Sequence, residues 1–219
     1  MGDVLVTGAT GGIGTALVDA LVAAGHRVTA VGRDVARLNV PGIEADLAEP
    51  GTLAAAVEKL GEVRALVHCA GISPIEAVAD ASPETWRRTL AVNVASAAEL
   101  VRLALPALRR SRGHVIFVNA APGMTGVPRW SAFVASKAAL RELAESLREE
   151  EAVHGIRVTT VYPGATATDL LGEVRSTFGR PYDPEACIQP HSLAAMIVWV
   201  LNAPADSYPC ELSVLPSPR

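Results

Sequence analysis

Short apolar runs alternate with longer segments of helical spacing along most of this chain. The clearest strand-like runs are Val4–Thr7, Arg27–Val31, Ala65–Cys69, His114–Asn119 and Arg157–Tyr162, with weaker ones near Ile43 and at Glu211–Leu215. Strands that alternate with helices are typical of βαβ units, which assemble a parallel sheet. The pattern therefore predicts an α/β fold, with a doubly wound parallel sheet of about seven strands and helices on both faces.

Helical segments are predicted where apolar residues recur three and four positions apart. In the first segment such residues run from Ile13 to Ala24, and Gly25 follows as a residue that commonly ends a helix. Pro106 is expected to bend or end a later helix, because proline lacks the amide hydrogen that an interior position needs. Residues 172–189 are predicted to be irregular. Further helices are expected at about Pro83–Arg110, Ser131–Val153 and His191–Leu201.

The composition favours one soluble domain over residues 1–219. A chain of 219 residues, half of them hydrophobic, can bury a single core. A net charge of −4 without a long basic run argues against nucleic acid and anionic membrane surfaces as partners. The amino-terminal sequence does not resemble a secretion signal, and the apolar run Leu193–Leu201 is too short to span a bilayer. We therefore expect a cytoplasmic protein whose partners are small molecules or copies of itself.

The cysteines argue against a metal site. Cys69, Cys187 and Cys210 are odd in number and widely spaced, which fits reduced thiols better than a disulfide framework or a zinc site. No metal is expected.

A glycine-rich segment directly follows the first strand and opens the first helix, with the sequence Thr7-Gly-Ala-Thr-Gly-Gly-Ile-Gly14. Glycines allow a backbone to approach a pyrophosphate, and the free N–H groups at the start of a helix can bind it. A glycine-rich turn alone is weak evidence, but the order strand, loop, helix indicates dinucleotide binding. The residues expected to contact the dinucleotide here are Gly8, Thr10, Gly12, Ile13 and Gly14.

The end of the second strand favours NADP(H) over NAD(H). Gly32 stands where an acidic residue would bind the ribose 2′-hydroxyl of NAD, and the guanidinium of Arg33 suits a 2′-phosphate. The alternative is that Arg33 is an ordinary solvated charge, paired with Asp34.

The segment from Asn119 to Leu140 resembles the active-site stretch of the short-chain dehydrogenase/reductase family, in which a Ser precedes a Tyr-x-x-x-Lys motif. Lys137 is present, but Phe133 stands at the Tyr position, and alignment through Gly123 and Pro128 puts Ala120 at the Ser position. The resemblance implies a single-domain Rossmann fold, an NADP(H) cofactor and the interconversion of a carbonyl and an alcohol on a small-molecule substrate.

Other segments extend this resemblance over nearly the whole chain. Residues 68–71, His-Cys-Ala-Gly, depart from the family's Asn-Asn-Ala-Gly at both Asn positions. By resemblance, Asn93 supports a water in the proton relay, and Lys137 lowers the Tyr pKa and holds the ribose. The resemblance adds the following cofactor-binding residues: Asp46, Leu47, Ala70, Gly71, Lys137, Pro163, Gly164 and Thr168.

The two lost hydroxyls should disable redox catalysis. Phe133 keeps the ring and loses the proton, and Ala120 loses the group that positions the substrate oxygen. Losing a general acid costs roughly 10²–10⁴-fold in rate and losing an oxygen-positioning donor a further ~10²–10³-fold. Rescue by Ser131 or Ser136 is not expected, because both are predicted to point away from the site. The sequence also establishes no suitable position for Thr125 or Tyr162.

Two interpretations of the lost hydroxyls stay open. Both changes are minimal deletions while Lys137, Asn93 and the glycine loop are retained, which favours an engineered double substitution of an active reductase. The alternative is a naturally non-redox protein: an NADP-binding regulator, or an enzyme that uses the retained pocket for a cyclisation, isomerisation or elimination.

Residues 171–190, with Phe178 and Tyr182, are expected to form a lid over the substrate site. Met124 and Trp130 are expected nearby, so the substrate should have an apolar face. The long helices at 83–110 and 131–153, together with the family resemblance, predict a homodimer or homotetramer.

Overall fold

The computed structural model of the protein describes residues 2–58, 61–121 and 125–218. Within these ranges seven parallel strands form one sheet in the order β3-β2-β1-β4-β5-β6-β7. The doubly wound parallel sheet predicted from the sequence is therefore confirmed. The strands are β1 (Asp3–Thr7), β2 (Val28–Gly32), β3 (Gly42–Glu44), β4 (Val63–His68), β5 (His114–Val118), β6 (Arg157–Pro163) and β7 (Glu211–Val214).

Helices cover both faces of this sheet. One hydrophobic cluster joins α1 and α7 to the strands, and a second joins α2, α4 and α5 to the opposite face. The central strands β1, β4 and β5 are buried on both sides, which explains their continuous apolar runs. The helices are α1 (Gly12–Ala23), α2 (Leu53–Val57), α3 (Pro83–Leu90), α4 (Ser96–Ser111), α5 (Ser131–Glu151), α6 (Asp169–Thr177) and α7 (Pro190–Leu201).

Several helix boundaries differ from the sequence prediction. The first helix ends as predicted, with Gly25 at φ 81° and its N–H donating to the Val22 carbonyl. The prediction of an irregular 172–189 segment is wrong at its start, because the Thr168 hydroxyl accepts from the Leu171 N–H and caps α6. The short helix α2 was not predicted.

Pro106 lies inside α4 and does not end it, since the helix continues to Ser111. Five buried apolar residues of α4 hold it against the sheet, and this packing outweighs the one hydrogen bond that proline removes. They are Ala97, Leu100, Val101, Ala104 and Leu108. The segment before α4, Ala91–Ala95, is a π-turn, so the predicted single helix is three consecutive helical pieces.

In the described chain one helical stretch, Pro83–Ser111, is long and apolar enough to cross a membrane. Its apolar residues on α4 face the sheet, and the core helix of an α/β protein meets the same length and composition test. The stretch is therefore weak evidence for a membrane span.

Candidate active site

A cavity of about 380 Å³ opens at the carboxyl ends of β1, β2 and β4. The strand order reverses between β1 and β4, and ligands of such sheets bind in the crevice at that point. The structure brings together here most of the residues expected to contact a dinucleotide. They are Gly8, Thr10, Gly12, Ile13, Gly14, Arg33, Asp46, Leu47, Ala70, Gly71 and Thr168.

Steric contacts explain three glycines of this cavity. Gly8 has φ 64°, and a Cβ there would lie 2.7 Å from the Ala70 backbone nitrogen. A Cβ at Gly14 would lie 2.0 Å from the Gly8 carbonyl oxygen, which no side chain can tolerate. A Cβ at Gly12 would meet Thr168 Cγ2 at 2.8 Å. The loop therefore leaves its backbone open toward the cavity at the start of α1, as a pyrophosphate requires.

The Thr7 hydroxyl ties the ends of β1 and β4 together beneath the cavity. It accepts from the Cys69 and Ala70 N–H groups, both at 3.2 Å, and it lies 3.0 Å from His68 Nδ1. Burial lowers the pKa of His68 to about 3, so its ring is neutral. Because the Thr7 oxygen already accepts two N–H groups, its own proton is left to bond to His68 Nδ1. His68 thus supplies a local hydrogen bond at a position where the sequence departs from the family's Asn.

Cys69 occupies the second departing position and lines the cofactor cavity. Burial raises the pKa of its thiol to about 12, so the sulfur is a neutral thiol and not a reactive thiolate. Cys69 therefore contributes shape to the wall of the cavity.

At the outer end of the same cavity, Arg33 is exposed and forms no ion pair with any residue in the described ranges, Asp34 included. A Cβ at Gly32 would touch only Val35, at 3.8 Å, so the site has room for the acidic side chain that is missing. Asp46 is held by the Ala48 N–H at 2.9 Å on one oxygen. This end can thus accept an anionic group next to a free guanidinium.

A second cavity of about 380 Å³ adjoins the first, and Ile13, Thr168 and Leu170 line both. Its walls are mainly apolar and come from β6, α5 and the segment that follows β6. Pro163 and Gly164, predicted to contact the cofactor, line this cavity instead of the first. Ala120, Ala121, Trp130, Phe133, Val174 and Phe178 complete most of its wall.

Phe133 is held in this wall by aromatic contacts. Its ring stacks on Trp130 with centroids 4.7 Å apart and planes at 18°, and Phe178 meets Trp130 edge-on at 5.7 Å. The Trp130 Nε1–H donates to the Ser73 hydroxyl at 2.7 Å. The sequence indicated Trp130 and Phe178 near the substrate but gave no sign of Ser73. Met124, also expected here, lies outside the described residues.

Lys137 lies one helical turn after Phe133, with its Nζ 5.8 Å from the centre of the Phe133 ring. The ammonium donates to the Val118 carbonyl at 3.0 Å, and burial lowers the pKa of Lys137 to about 8. The Asn119 side chain fixes this part of α5, because its Nδ2 donates to the Lys137 carbonyl at 3.0 Å. Sequence reasoning missed Asn119 as a positioning residue.

Asn93 sits in the π-turn and is fully buried. Its Oδ1 accepts from the Ile72 N–H at 2.8 Å, and its Nδ2 donates to the Ile72 carbonyl and the Ser136 hydroxyl. Both amide hydrogens are therefore used by the protein, so any water held by Asn93 must bind its backbone carbonyl or the remaining lone pair of Oδ1. Ser136, expected to point away from the site, lines neither of the two cavities; it lies buried between Asn93 and the Phe133 carbonyl, to which it donates.

The match to the short chain dehydrogenase family covers residues 3–178 of this chain. The match includes the glycine loop, Asn93 and the segment from Ala120 to Lys137. The chain belongs to the short-chain dehydrogenase family.

Two relatives of known name are similar to this family member over most of its length. A glycine betaine reductase of Emericella nidulans is 31% identical over an alignment of 234 positions, which covers 97% of this chain and 18% of that protein. Dehydrogenase/reductase SDR family member 7B of Bos taurus is 34% identical over an alignment of 202 positions, which covers 82% of this chain and 62% of that protein. The chain thus spans less than two thirds of either relative.

A solved short-chain dehydrogenase has the same fold. The protein from Burkholderia cenocepacia, in complex with NADP, is 27% identical with a TM-score of 0.82, over 97% of this chain and 87% of its own. The likeness extends across both cavities, because the overlap leaves out only 3% of this chain.

Ala120 and Phe133 line the second cavity and bring no hydroxyl to it. Two of the hydroxyls that line it already donate to the protein: Thr166 to the Gly164 carbonyl at 3.1 Å and Thr168 to the Thr166 carbonyl at 3.4 Å. Tyr162 does not line the cavity, and its phenol donates to Glu211. Burial raises the pKa of Tyr162 to about 12, so it is a poor proton donor. Among the hydroxyls of described residues that line this cavity, only that of Ser73, which accepts from Trp130, has no protein acceptor for its own proton.

Proposed function

We propose that this chain binds NADP(H) in the glycine-lined cavity and is a carbonyl reductase or alcohol dehydrogenase by descent, catalytically impaired at Ala120 and Phe133. One observation carries the proposal. The glycine-lined cavity, with Lys137 and Asn93 beside Gly71 of its wall, adjoins a second cavity whose wall has a phenyl ring but no phenol at position 133. NADP in the related Burkholderia cenocepacia structure supports the choice of cofactor.

The residues present fit the cofactor. The tight packing of Gly8 and Gly14 leaves backbone N–H groups for the pyrophosphate, and Arg33 lies free for a 2′-phosphate. When bound, NADPH supplies a hydride. Gly71 lies close to both Lys137 and Asn93, since a Cβ there would be 3.6 Å from Lys137 Nζ and 3.5 Å from Asn93 Oδ1. Lys137 is therefore placed to donate to a ribose beside this segment.

What the chain lacks is delivery of a proton to the substrate oxygen. Lys137 holds a proton below a pH of about 8, but its ammonium donates to Val118 and lies behind the Phe133 ring. A phenol at position 133 would feel this nearby positive charge, which lowers a phenol pKa. Phe133 keeps the ring for packing but has no hydroxyl that could donate a proton to the substrate oxygen.

The test is a set of four proteins: the original, Ala120→Ser, Phe133→Tyr and the double variant. Each is assayed with NADPH against a panel of ketones, quinones and aldehydes. We expect the double variant to reduce at least one compound, with Phe133→Tyr alone recovering more than Ala120→Ser alone, by about 10²–10⁴-fold against ~10²–10³-fold. The two gains should be non-additive, because both groups act on one oxygen atom.

The chain offers a matched control for this experiment. Ala121 and Phe178 line the same cavity, so Ala121→Ser with Phe178→Tyr adds the same two hydroxyls away from Lys137. That protein should stay inactive. The oxidoreductase proposal fails if the restored protein is inert on the whole panel while the original converts a compound without consuming cofactor.

That outcome would favour the second candidate, a non-redox binding protein or enzyme that uses the same pocket. The stacking of Phe133 on Trp130 is the observation in its favour, because it gives the phenyl ring a defined packing role of its own.

We also propose that residues 171–190 act as a lid. Leu171, Val174, Arg175, Phe178 and Arg180 line the cavity, and the Tyr182 phenol donates to the Thr168 carbonyl at 3.3 Å. Self-association as a homodimer or homotetramer and a cytoplasmic location stay predictions from the sequence.

A further inference from the structure

Two arginines interrupt the otherwise apolar wall of the second cavity. Arg175, on α6, is half-buried, and Arg180, just after it, is exposed, and both line the cavity. The rest of the wall near them is hydrocarbon or aromatic, from Val174, Phe178 and Leu171. A cation against an apolar surface loses part of its hydration, and a ligand of opposite charge would offset this free-energy cost.

Neither arginine forms an ion pair with any residue that the structure describes. Ion pairs among residues 2–58, 61–121 and 125–218 involve Arg27, Arg87, Arg102, Arg109 and Arg141, and each of these meets a carboxylate within 4.0 Å. No carboxylate in those ranges comes that close to Arg175 or Arg180. Most of the chain's ion-paired arginines are thus on outer helix surfaces, whereas these two face a cavity and have spare donors.

The backbone fixes Arg180 next to Arg175. Gly179 adopts φ 63°, its N–H donates to the Ser176 carbonyl at 2.9 Å, and the Arg180 N–H donates to the Arg175 carbonyl at 2.8 Å. This pair of bonds is the Schellman arrangement that ends a helix and turns the chain back over its last turn. The guanidinium of Arg180 then lies 5.3 Å from the centre of the Phe178 ring.

A third cation approaches the same ring. The Arg129 guanidinium lies 5.8 Å from the Phe178 centroid, so Phe178 is contacted by two arginines from separate segments. Contact with an aromatic face partly offsets the cost of holding these charges close together, and an anion between them would offset it further. Two of these arginines line the cavity and the third lies against the ring of Phe178, in a chain with net charge −4.

We infer that the second cavity selects substrates with an apolar body and an anionic group, a carboxylate or a phosphate monoester, held by Arg175 and Arg180. This inference rests on the proposed function, since it names the substrate class of the same site. Arginine suits both anions because its planar fork can donate two hydrogen bonds at once. The apolar body of the ligand would contact Trp130, Phe133 and Val174.

The test measures binding and needs no turnover. Trp86→Phe with Trp199→Phe leaves Trp130 as the single tryptophan, whose fluorescence should change when a ligand contacts the cavity wall. The probes are 2-oxo-4-phenylbutanoate, its uncharged ethyl ester, and 2-phenylethyl phosphate. Each is titrated with and without NADPH at low and high salt.

We expect one or both anions to bind about tenfold or more tightly than the ester, because a hydrogen-bonded charge pair supplies about that factor. Arg175→Gln with Arg180→Gln should remove this preference and leave the affinity for the ester nearly unchanged. The control Arg110→Gln, an exposed arginine at the far end of α4, should keep it. Raised salt should shrink the preference of the original protein.

Equal affinity for anion and ester in the original protein would overturn the inference, as would a preference that survives in the double glutamine variant. Absence of measurable binding by all three probes would overturn it too. The two anionic arms distinguish a carboxylate site from a phosphate site. NADPH binding is read separately in the same samples, so its loss counts against the proposed function and not against the arginine site.

Discussion

The two adjoining cavities have the same volume, about 380 Å³ each, but are built in opposite ways. The first is formed by backbone: glycines, strand ends and a few short polar side chains. The second is formed by side chains, with an aromatic stack and arginines contributed by loops and by α5 and α6. The first cavity tolerates few substitutions, because an added side chain at its glycines would collide with the neighbouring backbone. The second cavity can lose two hydroxyl groups, and with them its catalytic function, without a change in shape.

The largest effect is expected from a substitution in the glycine-rich loop of the first cavity. In Gly14→Ala the new methyl would lie at 2.0 Å from the Gly8 carbonyl oxygen, so the loop must move away from its position. We expect NADPH affinity to fall by about 100-fold or more, because a displacement of about 1 Å in a binding site has effects of that size. Calorimetry measures the affinity, and circular dichroism and thermal melting report how far folding is affected.

Gly51→Ala is the matched control, because nothing lies within 4 Å of a Cβ at that position. It should bind NADPH like the original protein. Unchanged NADPH binding by Gly14→Ala would show that the glycine loop is not the phosphate cradle.

A smaller effect is expected from Arg33, at the polar end of the first cavity. Arg33→Ala should reduce the preference for NADPH over NADH by about 10–100-fold, the range that a charge-assisted bond to phosphate supplies. Affinity for NADH should change little. The control is Arg37→Ala, an exposed arginine that does not line the cavity. If both variants lowered NADPH affinity equally, Arg33 would be acting only through the overall charge.

The third prediction concerns the boundary between the two cavities. The chain has two lysines, Lys59 and Lys137, so reductive methylation with ¹³C and NMR can follow each of them, and Lys59→Arg assigns the signals. Lys137 should titrate with a pKa of about 8, because burial disfavours its charge. A value near the ordinary 10.5 would place the ammonium in water and contradict the described packing.

The same shift has a consequence for stability. An unfolded lysine keeps its proton up to a pH near 10.5, whereas folded Lys137 releases it near 8. Between these values the unfolded state binds more protons, so the free energy of unfolding should rise with pH across this window. Lys137→Met should remove that slope.

The sequence predicted the backbone half of the molecule well and the side-chain half less well. The strands and the glycine loop follow from contiguous patterns, in which apolar runs, turns and helix starts are read directly. The role of Ser136 depends on Asn93, which is 43 residues away in sequence, and on a π-turn that no periodicity indicates. The Ser73–Trp130 bond joins residues 57 positions apart.

The errors near the lid have a similar origin. Helix α6 contains Gly172 and is only nine residues long, so its propensity is weak, and the Thr168 cap and packing of Val174 stabilise it. Arg175 and Arg180 read as ordinary surface charges until the helix end turns them toward the cavity. Pro106 was expected to bend or end its helix, but α4 continues past it to Ser111, because the burial of α4 compensates for the missing N–H donor.

We propose that an intact NADP(H) site adjoins a cavity that cannot deliver a proton. A calorimetric titration of the unmodified protein with NADPH and with NADH tests the first half of this proposal. We expect saturable binding of NADPH with a micromolar or lower Kd and clearly weaker binding of NADH, because Arg33 forms no ion pair with a described residue and Gly32 offers no acid to the ribose. Equal affinity for the two dinucleotides, or no saturable binding of either, would show that no NADP(H)-selective site is present.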